Sequence, residues 1–145
     1  DLSELTDGEF QRIMPDDTGA TSSVKRVLMC TGKVFYDLHN ARKDKGLEQK
    51  VAILRAEQLY PLADHRFEKA LAPYGEGTPV FWVQEEPANM GAWPSLRFRF
   101  CHTLLGRHPF EGVTRHESAS PATGSASSHK LEQQHLVDQA FDGLD

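Results

Sequence analysis

Three short apolar runs constrain the fold of this chain more than any other feature. They are "RVLMC" within residues 25–31, "VAIL" within residues 50–58 and "PVFWV" within residues 78–86. Each is too short for a buried helix and is bounded by Gly, Pro or charge, which reads as strand. The second and third are apolar at successive positions, so both of their faces need cover. A parallel sheet sandwiched between helices supplies that cover.

The intervening segments carry helix spacing. Val34, Leu38 and Ala41 fall at i, i+4 and i+7, and Gly46 follows as a C-terminal cap. Pro61 blocks extension of the second strand, and Asp64 is placed to cap a helix with Phe67, Ala70 and Leu71 on one face. Residues 92–105 read as a helix whose face holds Trp93, Leu96, Phe100 and Leu104. "FEGVTRHE" (residues 110–117) reads as a fourth strand, and "SASPATGSASSH" (residues 118–129) as a long loop. Residues 130–144 close the chain as a helix with Leu136, Val137, Ala140, Phe141 and Leu144 on one stripe. The expected fold is α/β and three-layered. Right-handed crossovers place helices on both faces of a mostly parallel sheet. Residues 1–23, with the loop signal "PDDTGATSS", are expected to be an arm or interdomain linker, and residues 24–145 the domain.

With 145 residues, 39% of them hydrophobic, the chain can bury one ordinary core. A net charge of −5 argues against a broad nucleic-acid footprint. No apolar run approaches the roughly 18 residues that span a bilayer. The start "DLSELTDGEF" is polar and acidic, unlike a secretory signal, and has no initiator Met. The expectation is a cytoplasmic chain, off the membrane, that begins inside a longer protein or after processing. Cys30 and Cys101, in unlike contexts and without a C-x-x-C, are expected to be free, buried thiols in a reducing compartment.

Ligands of open α/β sheets gather at the carboxyl ends of the strands. Here those ends are polar: Thr31-Gly32-Lys33, Glu57-Gln58, Glu85-Glu86 and Arg115-His116-Glu117. At the first, a helix start supplies free N–H groups beside Lys33, which suits an anion; a capped helix with a solvated Lys fits the same residues. It is not a Walker A motif, because Val34 stands where Ser or Thr would bind magnesium. Glu57, Glu85 and Glu86 suit acid–base or hard-cation chemistry, or else the bracing of strand-end loops against Arg55 or Arg115. The bracing reading is the stronger, since no nucleophile or His is fixed beside these acids. The histidines have no zinc spacing: His129 and His135 are six apart and share no helix face. "GSASS" (residues 124–128) is not a nucleophile elbow. No catalytic and no metal-binding residue is assigned.

Four blocks in order carry a family resemblance: "RVLMCTGKVFYDL", "VAILRAEQLYP", "WVQEEPANMGAW" and "SASPATG" followed by "EQQHLVDQAF". Together they resemble the C-terminal domain of the first component of 2-oxoglutarate dehydrogenase, and "QEEPANMGAWP" resembles its actinobacterial, multifunctional branch. The resemblance implies a transketolase C-terminal-type fold with a mostly parallel five-stranded sheet. It implies a parent that decarboxylates 2-oxoglutarate oxidatively in the citric acid cycle and passes the succinyl group to a lipoyl group on the second component. Thiamine diphosphate and magnesium would sit in upstream domains of the same polypeptide and none in this chain, and the parent would be a homodimer. It further implies a structural and regulatory role for residues 84–93. Acetyl-CoA is the implied effector, with Thr31, Lys33, Arg55 and Gln84 as candidate contacts. The competing expectation is an independent, non-catalytic phosphate- or nucleotide-binding α/β module.

Overall fold

The computed structural model describes Thr6 and residues 8–144. Six strands form one layer: β1 (Ile13–Met14), β2 (Arg26–Cys30), β3 (Val51–Ala56), β4 (Val80–Pro87), β5 (Thr103–Leu104) and β6 (His108–Arg115). Four helices cover it: α1 (Val34–Asp44), α2 (Asp64–Leu71), α3 (Trp93–Phe100) and α4 (Ala126–Phe141). The strand order is β1-β3-β2-β4-β6-β5. The four central strands are parallel, with Leu28 facing Ile53 on one side and Phe81 on the other. The two-residue edge strands β1 and β5 are antiparallel. This is the expected three-layer, mostly parallel α/β fold, but the sheet has six strands where the sequence shows four and the resemblance implies five. Three of the four parallel strands are the apolar runs that stand out in the sequence and the fourth is the strand read near residues 110–117; the edge strands are too short to show a period.

Strand alternation sorts the core into two layers. Val27, Met29, Leu54, Val80 and Trp82 face the α2–α3 side with Phe67 and Leu96. Leu28, Cys30, Ile53 and Val83 face the α1–α4 side with Val34, Leu38, Leu136 and Phe141. The chain leaves β2 toward β3, then crosses back to β4 on the other side of β2. The carboxyl ends of β2 and β4 therefore border the switch point of the sheet, where α/β folds leave a crevice.

Local corrections have physical causes. The helix expected over residues 92–105 stops at Phe100, because Cys101 turns to φ +53° and the chain doubles back into β5. Leu104 mimics the helical period because, from β5, it is buried in the same core as Leu96. The last helix begins at Ala126, not residue 130, with the Ser125 hydroxyl accepting from Ser128 N–H at 3.4 Å. Asp64 is not the cap of α2 but its first residue; its carboxylate instead meets Arg99 at 2.5 Å. The fourth parallel strand runs two residues earlier than expected at both ends. Gly46 does close α1: at φ +63° its N–H reaches Lys43 O, and Leu47 N–H reaches Arg42 O, both at 3.0 Å.

The stretch read as an arm or linker, residues 1–23, is described from residue 8 and is pinned to the domain. Met14 pairs with Arg55 and Ile13 with Ala56. The Asp16 carboxylate, itself 3% exposed, accepts from the buried guanidinium of Arg42 and from Ile53 N–H at 2.9 Å. Asp17 meets the same guanidinium at 2.8 Å.

Candidate functional site

The carboxyl edge is built from the ends of β2, β3 and β4. Cys30 pairs with Arg55 on one side and Val83 on the other, so Thr31, Arg55 and Gln84 fall on one rim. Gly32 leads from β2 into α1 with φ +69°, a conformation that favours glycine, and a Cβ there would meet nothing within 4 Å. Lys33, 68% exposed, meets Glu85 at 2.7 Å across the switch point. Arg55 meets Glu57 at 2.5 Å, with Nε–H not aimed at the oxygen, and its guanidinium lies 4.7 Å over the Phe35 ring. Two of the strand-end acids are thus held by the two cations that stand beside them.

Gln84 lies on the same rim but turns inward, at 2% exposed. Its Oε1 accepts from Trp82 Nε1–H at 3.0 Å and from Trp93 N–H at 2.9 Å. Its Nε2 donates to Met90 O at 2.7 Å and to Pro87 O at 3.2 Å. One amide therefore closes the whole loop from β4 to α3. Gly91 (φ +68°) passes so close that a Cβ there would sit 2.9 Å from Gln84 Nε2. The loop is also tied sideways: Asn89 Nδ2–H donates to Ser118 O at 2.9 Å, and Ser118 N–H returns to Asn89 Oδ1 at 3.1 Å.

Arg115, at the end of β6, is a second hub. Its Nη2 reaches Gln133 Oε1 at 2.9 Å and His129 Nδ1 at 3.2 Å, and Nη1 lies 3.4 Å from Glu132. Gln133 in turn donates to Asp37 of α1 at 2.7 Å. Arg115 thus braces α4, whereas bracing of Glu57, Glu85 or Glu86 was the expected use. A cavity of about 660 Å³ opens beside it, between the loop after β6 and α4, rimmed by His116, Glu117, Glu132, His135 and Asp138. The sequence hides this concavity, because its two walls are separated by the small, polar residues 118–125.

Both thiols are free, as expected, and Cys30 is buried; Cys101 is exposed instead, because it sits at the turn that ends α3 rather than inside a helix. Burial pushes the Cys30 thiol up to about 12, with the Arg55 charge opposing and Glu57 adding, so it is an inert thiol at neutral pH. No group of three or more His, Cys, Asp or Glu among the described residues could hold a metal ion. A diphosphate–magnesium group does not fit this rim either: a hard cation needs converging oxygens, and Glu57 and Glu85 each turn to a cation instead. No helix among the described residues is long and apolar enough to cross a membrane.

Comparison with known proteins defines the class. Residues 1–141 match the family described as 2-oxoglutarate dehydrogenase C-terminal, and the chain belongs to that family. It is 39% identical over 147 aligned positions to the multifunctional 2-oxoglutarate metabolism enzyme of Mycolicibacterium vanbaalenii, covering 97% of this chain and 12% of that protein. It is 41% identical over 141 positions to the 2-oxoglutarate dehydrogenase E1 component of Haemophilus influenzae, covering 97% of this chain and 15% of that one. A mitochondrial 2-oxoglutarate dehydrogenase-like protein of Xenopus laevis is 39% identical over 94% of this chain and 14% of its own length. The chain therefore spans only about an eighth to a seventh of these relatives. Among solved structures, a split-gene transketolase, an inactive β4 tetramer, superposes with a TM-score of 0.59 at 12% identity, covering 95% of this chain and 43% of that one. At that identity it shows the fold alone, a transketolase C-terminal-like α/β arrangement.

Proposed function

We propose that this chain acts as the C-terminal assembly and effector domain of a 2-oxoglutarate dehydrogenase first component. In this reading the parent decarboxylates 2-oxoglutarate in the citric acid cycle and hands the succinyl group to a lipoyl group on the second component. Thiamine diphosphate and magnesium are held in other domains of a cytoplasmic, homodimeric polypeptide. The domain starts near residue 24, and residues 8–23 are the arm by which the rest of the polypeptide enters. The observation that supports a non-chemical role is the state of the strand-end acids. Glu85 is held by Lys33 and Glu57 by Arg55, so each carboxylate is a brace and neither has a proton-transfer partner beside it.

The effector reading rests on the same rim. Thr31 follows Cys30, the register partner of Arg55, and Lys33 precedes α1, whose first N–H groups open onto the same edge. A CoA-type ligand such as acetyl-CoA would compete with Glu85 and Glu57 for the two cations, while Gln84 holds the loop that shapes the wall. The test belongs in the full-length enzyme: titrate acetyl-CoA and follow activation of decarboxylation. Loss of one charge-assisted contact should raise the half-maximal concentration about tenfold in Arg55→Ala. Equal half-maximal concentrations in wild type, Arg55→Ala and Lys33→Ala would remove the rim from effector binding. The family membership also speaks against the independent phosphate-binding module.

A further inference from the structure

The cavity of about 660 Å³ between α4 and the loop after β6 lies outside the effector rim: none of Thr31, Lys33, Arg55 and Gln84 lines it. Its two walls are held in place within the domain. Asn89 and Ser118 fix the loop through two hydrogen bonds, and Leu136, 1% exposed, seats α4 on the sheet. Pro87, Pro121, Ala122 and Leu136 give the cavity an apolar surface.

Two polar groups in these walls lack partners. Arg115 has only 7% of its side chain exposed. Its Nη2 is filled by Gln133 and His129. Its Nη1 makes no hydrogen bond; it has the 3.4 Å ion pair with Glu132 and, unlike Nε, is not sealed from open space. Thr123 Oγ1 is buried without a partner. A buried donor ordinarily finds an acceptor.

The charges decide which acceptor suits. Three carboxylates, Glu117, Glu132 and Asp138, line the cavity against Arg115, its one Lys or Arg among the described residues. Glu132 stands beside Arg115. Glu117 is in no ion pair among the described residues, and Asp138 accepts only from the neutral Gln134 amide at 3.2 Å. A further carboxylate brought to Arg115 would meet Glu132 and a negative surround. A neutral carbonyl avoids that repulsion, and a cation gains from both free acids.

We propose that this cavity receives a lysine or arginine side chain on a basic segment of a partner protein. The cation lies between Glu117 of the loop and Asp138 of α4, the methylene stem lies on the apolar surface, and a peptide carbonyl of the same segment accepts from Arg115 Nη1. Long basic side chains bury their methylenes in this way while the charged head stays at the rim. The volume, within the usual range for small-ligand sites, holds one such side chain with its flanking peptide groups. Acids alone would describe any solvated helix face; the buried guanidinium with an open Nη1 is what distinguishes this one.

The probe is the blocked tripeptide acetyl-Gly-Lys-Gly-amide, titrated at low ionic strength into the isotope-labelled 145-residue chain, with backbone amide shifts as the readout. Saturable shifts are expected in residues 116–123 and 132–139. Glu117→Gln and Asp138→Asn, both at exposed positions, should each weaken binding about twofold to fivefold, the scale of an exposed charge pair. The same peptide with norleucine or glutamate in place of lysine should not bind, and butylammonium, which has no carbonyl, should bind more weakly. Absence of saturable shifts around the cavity, or equal binding of the norleucine or glutamate peptide, overturns the site. Equal affinity for butylammonium overturns the carbonyl contact with Arg115. Asp138 also borders a groove between α1 and α4, as Asp44 does. A loss in Asp138→Asn and Asp44→Asn with Glu117→Gln unchanged places the cation in that groove and overturns this cavity.

Discussion

Replacing Gln84 by Leu should be among the most damaging single changes in this chain, although the side chain belongs to a loop entrance and carries no charge. The substitution nearly keeps the volume and deletes the amide. Trp82 Nε1–H, Trp93 N–H and Met90 O each lose a partner held within 3.0 Å, and Trp82 is fully buried. A hydrogen bond contributes about 1 kcal/mol net, and a stranded buried partner costs about 1–3 kcal/mol. Leucine's greater hydrophobicity offsets part of this. The expected loss is about 3–5 kcal/mol, a large share of the roughly 5–15 kcal/mol of an ordinary domain. Urea unfolding followed by tryptophan fluorescence reads it directly, since both Trp residues of the chain bond to this amide. Gly91→Ala should act on the same element, because its Cβ would press on the amide at 2.9 Å. Gly32→Ala has a similar φ, +69°, but open space, and should cost only the conformational term of about 1–2 kcal/mol. In a double-mutant cycle Gln84→Leu and Gly91→Ala should be sub-additive by more than about 0.5 kcal/mol. A loss below about 1 kcal/mol for Gln84→Leu, or strict additivity with Gly91→Ala, would mean that the loop is not closed by this one amide.

Arg42→Met should cost about 3–5 kcal/mol in the same assay, because it leaves the Asp16 carboxylate buried without its cation; a loss under about 1 kcal/mol would mean that the arm is not pinned by this pair. Alkaline stability should fall from about pH 9 toward 12. The Cys30 thiol is raised from 9.0 to about 12 and the Tyr74 hydroxyl from 10.0 to about 12. Each folded group keeps its proton after the unfolded one has lost it, so its contribution is complete below the unfolded value and vanishes through the folded one, at about 1.4 kcal/mol per pH unit per group. Between pH 9 and 10 the thiol acts alone, so Cys30→Ala should flatten that part of the curve; an unchanged slope there would contradict a buried, raised thiol.

The sequence carries the centre of the fold well and its edges poorly, for reasons visible in single residues. The runs around Leu28, Ile53 and Trp82 are apolar on both faces because helices cover both, and a strand exposed on one face would alternate instead. Residues 13–14 and 103–104 form strands of two residues, set by pairing with β3 and β6 rather than by any local period. Leu104 reads as helical because burial from β5 imitates helical spacing. Of the four rim residues named from the sequence, Thr31, Lys33 and Arg55 fall at the same edge of the sheet, since parallel strands end on one side. Gln84 turns inward because Trp82 and the Trp93 turn offer it more hydrogen bonds than water-facing space would order. Gly112 carries a further signal: a glycine inside a strand marks a close approach, and a Cβ there would lie 2.7 Å from Trp93 Cζ2.

The proposed role is that of a domain which serves a decarboxylating enzyme without performing its chemistry. It is tested by supplying the 145-residue chain with thiamine diphosphate, magnesium, 2-oxoglutarate and an artificial electron acceptor, and following release of labelled carbon dioxide beside the full-length polypeptide. Turnover is expected from the full-length polypeptide and background from the chain alone; sustained carbon dioxide release by the chain alone would place the chemistry in this domain and overturn the role.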